Sequence, residues 1–484
     1  MEDKTQFTVG GSWATVDYVP GSLSEELTRA TRFRPADVWF LPQYQNTRWD
    51  GYYQLFRQGR FPRGLLSRVL DVWRRHQMPF TLSVDTRGIQ DGVAMETEFC
   101  GELRPYQAAA VAEAARTGSG ILRAPTGAGK TMVGVAIAHA LGRGALVVVP
   151  TIDLLYQFKD MAQAQLPNIE VGQLGDGVIN PQLFTIATAR TMAKVLGVAY
   201  ESYEFAEVND EDETDPDVAA LADWLRTIGT LIIDEAQILG ARSVFEVAMS
   251  LPVYHKFGIS ASPWRDDGCD LMIEASVGPM FHRVNAKELL DGGWLVKPII
   301  RIIDTADVQP RDYSKDDLNY SAVYRQAIVE NEARHRLVAQ TVIDLAERNY
   351  QTLVLVKHIK HGRALAKLIP ECTFVWGATD GEVRHQVYEA MRHEYVQVLI
   401  ASTIADMGLD IPSLGALVLA GGGKSSTRHL QRIGRICRPY EGKTHGLVVD
   451  FDDRAAHPKW FGDHVRRRVK IARAEWEDVT IHDF

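Results

Sequence analysis

From about residue 100 onward, short apolar runs alternate with longer amphipathic stretches. The runs are rich in β-branched residues and apolar at consecutive positions, as in strands buried on both faces of a parallel sheet. They cover residues 145–150, 230–234, 352–356, 396–401 and 416–420. The pattern predicts an α/β fold with one parallel sheet in residues 100–295 and a second in residues 296–484. Residues 1–99 lie outside the alternation, and we expect them to form a small, separate α+β accessory domain.

Length and composition agree with a multidomain globular chain. At about 150 residues per domain, 484 residues suggest two to four domains. A chain that is 46% hydrophobic and 24% charged is neither collagen-like nor wholly disordered. The four cysteines have no paired spacing, which argues against a disulfide framework or a zinc site. Because the sequence shows neither a secretory leader nor a membrane-spanning run, we expect a cytoplasmic protein.

The net charge of −9 is concentrated in one segment. Residues 201–217 contain nine acidic residues and no Lys or Arg, so the rest of the chain is electrically balanced. A polyanionic partner is therefore not excluded, because affinity for phosphates depends on local clusters of Lys and Arg. We interpret the segment as a solvated insertion; the alternative is a regulatory loop that mimics nucleic acid.

Residues 124–131, APTGAGKT, carry the strongest chemical signal. They follow an apolar strand and precede a helical pattern, which is the context of a phosphate-binding loop. Glycines let the backbone N–H groups point at phosphate oxygens, the lysine neutralises the β- and γ-phosphates, and the threonine hydroxyl holds Mg²⁺. Ala124 departs from the common pattern, which has Gly there. The predicted ATP-binding residues of the loop are Thr126, Gly127, Ala128, Gly129, Lys130 and Thr131.

A pair of carboxylates, Asp234 and Glu235, ends the apolar run in residues 231–237, LIIDEAQ. We expect Asp234 to hold Mg²⁺ and Glu235 to accept a proton from the water that attacks the γ-phosphate. An Asp-Glu pair alone also occurs as a helix cap. Together with the phosphate-binding loop, the pair favours a nucleotide-hydrolysing site.

In this order, the two elements resemble the first and second motifs of superfamily 2 helicases. The resemblance implies two RecA-like motor domains, with ATP and Mg²⁺ as cofactors. Residues 103–107, LRPYQ, resemble the adenine-reading element, which assigns Arg104 and Gln107 to ATP. The second motif has Gln237 where the standard Asp-Glu-Ala-Asp RNA helicases have Asp, which excludes that group. An amide at this position can still link ATP to the third motif.

Three further stretches of residues 100–295 resemble motifs of the same family. Pro150 and Thr151, at the end of one apolar run, and Thr188, in residues 187–189, resemble turns that grip the nucleic-acid backbone. Residues 259–263, ISASP, resemble the Ser-Ala-Thr element that couples hydrolysis to movement. The coupling residues implied there are Ser260 and Ser262.

The second half of the chain contains stretches that resemble the fifth and sixth motifs. Residues 401–412 place Thr403 at a nucleic-acid phosphate and Gly408 and Asp410 near the nucleotide. In residues 431–438, QRIGRICR, three arginines recur at i, i+3 and i+6, so we expect them along one side of a helix. A solvated helix face is one interpretation; we prefer an arginine finger pair that reaches the γ-phosphate. The residues of this motif are Gln431, for coupling, and the catalytic Arg435 and Arg438, with Arg432 in the same row.

The first 99 residues resemble the small N-terminal DNA-binding domain of the UvsW-type branch-migrating helicases of bacteriophages. The resemblance lies in WFLP at 39–42, NTRWDG at 46–51 and RFPRG at 60–64. Residues 46–76 hold seven arginines and two acids, and we expect Arg48, Arg60 and Arg63 to bind phosphates at the surface. The aromatics among them form either a stacking surface or a small core: Trp49, Tyr52, Tyr53 and Phe56. A C-terminal basic cluster at 466–473 is either a solvated helix or a duplex-binding face.

The resemblance therefore implies an ATP-dependent DNA helicase that unwinds or branch-migrates forks, Holliday junctions or R-loops in recombination and repair. Its partner is branched DNA or duplex with single-stranded regions, with RNA in RNA–DNA hybrids as a further substrate and no membrane. The compartment is a bacterial or phage-infected cytoplasm. Two alternatives stay open: an RNA-directed helicase, and a nucleotide-gated clamp that binds DNA as a subunit of a larger assembly.

Overall fold

The computed structural model describes residues 4–199, 218–265, 267–309, 319–402, 411–422, 426–457, 459–476 and 479–483. The chain divides into two compact units, and the main change of unit falls between Val284 and Asn285. We call them the first unit and the second unit. The acidic segment 201–217 lies outside the described residues, so its role stays a prediction.

The N-terminal region is α+β, as predicted. Its strands are β1 (Thr5–Val9), β2 (Trp13–Val16), β3 (Arg32–Phe33), β4 (Tyr53–Gln54), β5 (Arg60–Pro62) and β6 (Phe80–Val84), and its α-helices are α1 (Ser24–Ala30), α2 (Pro42–Asn46) and α3 (Leu66–Arg75). One sheet has the order β5-β2-β1-β6, and β3 pairs with β4. Phe7 and Trp73 meet edge to face at 5.0 Å in the core between this sheet and α3.

This region packs directly on the α/β part of the first unit. Ala275, from the α/β part, belongs to the N-terminal core. A Cβ atom at Gly11 would lie 1.9 Å from the carbonyl oxygen of Pro252, and one at Gly64 would lie 2.0 Å from that of Glu274. Because only glycine permits such backbone approach, the two layers are in close contact. The domain boundary at residue 99 stays a prediction.

The α/β part of the first unit is built on one large sheet. Its elements are α4 (Pro105–Thr117), β7 (Ser119–Arg123), α5 (Lys130–Leu141), β8 (Gly144–Val149), α6 (Ile152–Gln165), β9 (Val171–Gly175), β10 (Val178–Asn180), β11 (Phe184–Thr188), α7 (Ala189–Val195), α8 (Val218–Leu225), β12 (Ile228–Asp234), α9 (Arg242–Ser250), β13 (His255–Ser260), α10 (Asp270–Val277) and β14 (Met280–Arg283). The order is β10-β9-β11-β8-β12-β13-β7-β14, and all neighbours except β10 and β9 are parallel. Every residue of β8 and β12 is buried, as their unbroken apolar pattern predicts.

The second unit contains the second predicted sheet. Its elements are α11 (Ala286–Asp291), β15 (Lys297–Asp304), α12 (Tyr320–Tyr324), α13 (Glu332–Glu347), β16 (Thr352–Leu355), α14 (Ile359–Ala366), β17 (Cys372–Val375), α15 (Gly381–Arg392), β18 (Val398–Ala401), β19 (Ala416–Val418), α16 (Ser426–Ile436), β20 (His445–Asp452), α17 (Trp460–Glu475) and β21 (Thr480–Asp483). The order is β17-β18-β16-β19-β20-β15-β21, with all pairs parallel. The predicted fold class, two parallel-sheet α/β layers after an α+β region, is confirmed.

Helix α17 shows that the C-terminal basic cluster is not uniformly solvated. Arg468 is buried and donates to both carboxylate oxygens of Asp450, at 2.6 and 3.0 Å. Arg466 is exposed and pairs with Asp463 one turn earlier. One arginine of the cluster therefore supports the fold of the second unit. None of the helices in the described ranges combines the length and apolar character that a membrane crossing requires.

Candidate active site

The carboxyl ends of three neighbouring strands bring the first-unit motifs together. Strand β13 lies between β12 and β7 in the sheet. The register pairs Asp234 with Ile259 and Ser260 with Arg123. The loop after β7, the carboxylates after β12 and the serines after β13 therefore meet at one edge, where parallel α/β sheets bind ligands.

The phosphate-binding loop has the backbone that its glycines predict. Gly127 and Gly129 have φ values of +89° and +72°, in the region that side chains disfavour. Gly129 is the N-cap of α5, so Lys130 and Thr131 form the first turn of a 12-residue helix. Ala124 has no positive φ and is buried, and its N–H donates to the backbone carbonyl of Ser260 at 3.0 Å. Alanine in place of glycine at this position therefore causes no backbone strain in the loop.

Gln107, predicted to contact adenine, is buried against this loop. A Cβ atom at Gly129 would lie 2.6 Å from its amide nitrogen. Its Oε1 accepts from the N–H of Arg104 at 2.9 Å, at the start of α4. The Arg104 guanidinium in turn lies 3.1 Å from the Tyr106 hydroxyl. The structure thus places the predicted adenine element beside the phosphate loop, and its contact with adenine stays a prediction.

Asp234 is a buried carboxylate whose Oδ1 has no hydrogen-bond donor in the described part of the chain. Burial, and next the neighbouring Glu235, raise the pKa of Asp234 to about 7, whereas Lys130 acts in the opposite direction. Glu235 has a left-handed backbone, with φ of +51°, which turns the chain sharply after β12. A buried oxygen that lacks a donor fits a cation, so Asp234 suits Mg²⁺, and the part of the Thr131 hydroxyl in holding it stays a prediction.

Gln237 joins the second motif to the third. Its amide nitrogen donates to Glu235 at 2.9 Å, and its amide oxygen accepts from the Ser260 hydroxyl at 2.6 Å. Ser260 Oγ also accepts from the N–H of Ser262 at 3.1 Å. An amide can donate and accept at once, which explains how Gln serves at this position. That the link transmits hydrolysis to movement stays a prediction.

Arg265 supports this link, and the sequence analysis missed it. Its guanidinium donates to the backbone carbonyl of Gln237 at 2.9 Å and binds Asp267. The only available signal was an arginine two residues after the ISASP element, in a polar loop without periodicity. Its partner is the carbonyl of another strand's loop, so only the folded chain reveals the contact.

The two predicted nucleic-acid turns lie side by side on adjacent strands. Thr151 caps α6 by accepting from the N–H of Leu154 at 3.4 Å. Thr188 caps α7 by accepting from the N–H of Thr191 at 3.2 Å, and it is paired in register with Val149. Buried Pro150 leads from β8 into the first of these turns. Their contacts with a nucleic-acid backbone stay predictions.

The three N-terminal arginines differ in exposure. Arg48 and Arg60 are exposed, and Arg60 stacks on Trp13 with 4.2 Å from its guanidinium carbon to the ring centroid. Arg63 is buried and donates to the carbonyl of Tyr254 at 2.5 Å, and burial lowers its pKa to about 10. The expectation that Arg63 remains at the surface is wrong, because it anchors the N-terminal region to the α/β layer.

The arginine row of the sixth motif is interrupted by the end of α16. Arg432 and Arg435 lie in this helix, which ends at Ile436. Arg438 lies beyond that end, so the expectation of three arginines on one helix is wrong. Pro439 explains it, since the residue before a proline is disfavoured in helical conformation. Burial, and next Arg392, lower the pKa of Arg438 to about 10.

Four residues predicted for the second half of the chain are not placed. Thr403, Gly408 and Asp410 lie outside the described residues, as does the side chain of Gln431. Their roles stay predictions.

Comparisons with known proteins agree with the motifs. Residues 101–265 match the family described as "Type III restriction enzyme, res subunit", and residues 334–439 match "Helicase conserved C-terminal domain". The DNA 3'-5' translocase XPB2 of Sulfurisphaera tokodaii is 28% identical over 70% of this chain and 79% of its own. The ATP-dependent DNA helicase uvsW of Enterobacteria phage T4 is 24% identical over 90% of this chain and 88% of its own. The chain spans only 59 to 64% of the length of three further curated relatives.

A solved structure shows the same fold. The ATP-dependent Type ISP restriction-modification enzyme LlaBIII bound to DNA has a TM-score of 0.54 and 14% identity, over 79% of this chain and 31% of that one. Both parallel sheets are RecA-like. With the phosphate loop, the paired carboxylates and the two serines meeting at one sheet edge, the chain carries the domains and motifs of a superfamily 2 helicase.

Proposed function

We propose that the protein is an ATP- and Mg²⁺-dependent DNA helicase or translocase that unwinds or branch-migrates branched DNA. The observation that carries the motor function is the buried chain of hydrogen bonds from Glu235 through Gln237 to Ser260. It connects the carboxylate beside the nucleotide loop to the element that leads out of β13. The choice of DNA is supported by two similar proteins, the DNA 3'-5' translocase of Sulfurisphaera tokodaii and the DNA helicase of phage T4.

The first unit can perform the nucleotide chemistry with the groups already described. The first turn of α5 presents backbone N–H groups and Lys130 to the phosphates. Thr131 and Asp234 would hold Mg²⁺, which neutralises charge on the β- and γ-phosphate oxygens. Glu235 would orient and deprotonate the attacking water. By their resemblance to the sixth motif, Arg435 and Arg438 would stabilise the charge that develops on the transferred phosphoryl group.

Branched DNA as the physiological substrate rests on the N-terminal region and its resemblance to UvsW-type helicases. A motor that steps along one strand displaces the other when a further domain holds the junction. The exposed Arg48 and Arg60 can bind phosphates without sequence preference. If the N-terminal region holds the junction while the motor motifs drive movement, the α/β part of the first unit should not move a junction without the N-terminal region.

A branch-migration assay on a synthetic four-way junction tests the proposal. ATP hydrolysis is measured in parallel with duplex DNA, single-stranded DNA and RNA. We expect junction movement that depends on ATP, and hydrolysis stimulated more by DNA than by RNA. Stimulation by RNA alone would identify an RNA-directed helicase. A junction that is bound but never moved despite ATP turnover would identify a nucleotide-gated clamp.

A further inference from the structure

Two large aromatic side chains of the N-terminal region project into solvent next to each other. Trp39 is 56% exposed and Phe40 is 80% exposed, in a short 3₁₀ turn that is anchored by the buried Val38. Contiguous exposed apolar surface, unlike a single exposed side chain, often marks an interaction site. The Trp39 ring meets Tyr44 edge to face, with 5.0 Å between the ring centroids, yet both Trp39 and Phe40 keep more than half of their surface exposed.

The guanidinium of Arg34 lies directly behind this turn. Its carbon is 4.4 Å from the centroid of the Trp39 ring and 5.5 Å from that of Tyr44. One of its terminal nitrogens donates to the Tyr44 hydroxyl at 3.2 Å. Its Nε is buried and has no hydrogen-bond acceptor among the described residues. The charge of Arg34 is therefore held by aromatic rings and not by an acid.

Two sets of arginines in the N-terminal region contrast in their partners. Arg32, Arg34 and Arg60 stack on aromatic rings, and none forms an ion pair within the described residues. In contrast, the arginines of α3 are all paired with acids, in the pairs Arg68–Glu274, Arg74–Asp71 and Arg75–Glu26. Arg34, whose guanidinium contacts the exposed Trp39, is therefore among the arginines whose charge is not neutralised by an acidic side chain of the described residues.

We propose that Trp39, Phe40 and Arg34 form a binding site for the unpaired bases of a single nucleic-acid strand. A base stacks on the exposed rings, and the strand's phosphates lie near Arg34 and Arg32. Every base offers a flat face, so such a platform binds without sequence preference. Uncompensated guanidiniums on aromatic rings match an anionic chain with planar groups, which is the chemistry of a single strand. This inference rests on the proposed function.

The platform is bonded to the loop that supports the motor motifs. The N–H of Ala36, between Arg34 and Trp39, donates to the carbonyl of Asp267 at 2.8 Å. Asp267 binds Arg265, which donates to the carbonyl of Gln237. Three contacts therefore connect the backbone of Ala36, beside the platform, to the backbone carbonyl of Gln237. The site suits a strand that has just been separated at a junction.

Binding of fluorescent oligonucleotides by the full chain tests the site. One probe is oligothymidylate, and the other is an abasic strand of the same length, which keeps the phosphates but has no bases. We expect Trp39→Ala with Phe40→Ala to weaken oligothymidylate binding by about fivefold to a hundredfold, because one or two stacked bases are lost. Affinity for the abasic strand should not change. Trp39→Phe should retain most of the affinity.

Tyr18→Ala is the matched control, because Tyr18 is an aromatic of the same region that is 64% exposed and lies outside the platform. Thermal unfolding of each variant checks that the fold is intact. An unchanged oligothymidylate affinity in the double variant would overturn the inference and leave the patch to a protein partner. Equal weakening for both probes would also overturn it, since stacking requires bases.

Failure of the proposed function has a different signature. If the wild-type chain neither binds any strand nor shows nucleic-acid-stimulated ATP hydrolysis, the proposed function and this site fail together. If the wild-type chain binds and hydrolyses but the double variant equals it with both probes, only this site fails.

Discussion

Two regions of the first unit differ in the partners of their polar groups. One is the sheet edge with the motor motifs, and the other is the N-terminal platform of Trp39, Phe40 and Arg34. At the sheet edge, Gln237 and Ser260 are buried and bonded to each other. At the surface, Arg32 and Arg34 are held by rings and have no acid partner within the described residues. Buried polar groups depend on one another, so their sequence is constrained as a motif. A stacking surface needs only exposed rings and charge, which many sequences can supply.

The largest effect is expected at the phosphate loop. Lys130→Ala removes the charge beside the β- and γ-phosphates and should lower kcat for ATP hydrolysis by about a hundredfold or more. Phosphate release in the presence of DNA measures it. Lys367→Ala, at an exposed lysine of the second unit, is the control and should hydrolyse ATP at the wild-type rate. Full unwinding by Lys130→Ala would contradict the assignment of the sheet edge as the motor site.

Asp234 should make the metal-free protein less stable as the pH rises. Its pKa is raised to about 7 in the fold, against about 3.9 for an unfolded Asp, so the folded chain holds a proton that the unfolded chain has lost between these values. Stability should therefore fall from about pH 4 to pH 7 by a few kcal/mol. Denaturant unfolding at pH 5 and pH 8, with a chelator present, measures the change.

Asp234→Asn separates this effect from other titrations. The variant cannot ionise, so it should lose the pH dependence, be more stable than the wild type at pH 8 without metal, and hydrolyse no ATP. Added Mg²⁺ should narrow the difference in stability, because it favours the charged carboxylate. Asp307→Asn is the control at an exposed aspartate. An Asp234→Asn protein that is less stable at pH 8 would refute the stated environment of this carboxylate.

Gln237→Ala should uncouple the two motifs at the sheet edge. The variant leaves Glu235 without its amide donor and Ser260 without its acceptor, at a cost in stability of about 1–3 kcal/mol. Base pairs unwound per ATP hydrolysed should fall by about tenfold, with a smaller effect on ATP binding. Gln340→Ala is the control, since within the described residues its amide bonds to exposed Asp344 and to no other side chain. Loss of ATP binding together with coupling would instead indicate collapse of the nucleotide site.

The smallest effects distinguish exposed from buried arginines of the N-terminal region. Arg60→Ala should weaken DNA binding a few-fold at every sequence and reduce the slope of log affinity against log salt by about one. Arg63→Met should leave that slope unchanged and lower stability by about 1–3 kcal/mol, because the Tyr254 carbonyl loses its donor. If the Arg63→Met variant showed a changed salt slope, Arg63 would have to be assigned to the DNA-binding surface after all.

The parallel sheets, the phosphate loop and the carboxylates at the end of β12 were predicted from local patterns. Strands such as β8 and β12 are buried on both faces, so their apolar runs mark them directly. The loop requires positive φ at Gly127 and Gly129, and glycine is the residue that allows it. Each of these features depends on the conformation and burial of one short stretch of chain, so the local sequence is enough to predict it.

Two expectations about arginines were wrong, one because of distant partners and one because of the neighbouring Pro439, and one feature of the surface was not predicted. Arg63 belongs to a basic stretch, yet the carbonyl of Tyr254 and the close approach of Gly64 to the α/β layer bury it. Arg438 follows the arginine spacing, yet the helix ends before it. Trp39 and Phe40 resemble core residues in a sequence, and only the packing around them shows that they are exposed.

The sequence by itself determined the fold class, the order of the motifs and the chemistry of the nucleotide loop, because these depend on periodicity and on short backbone constraints. The tertiary structure alone decided which arginines are neutralised, how Arg265 supports Gln237, and which aromatics are available to a ligand. Burial and ion pairing depend on groups that are far apart in the chain. Their spacing along the sequence does not show how close they lie in the folded protein.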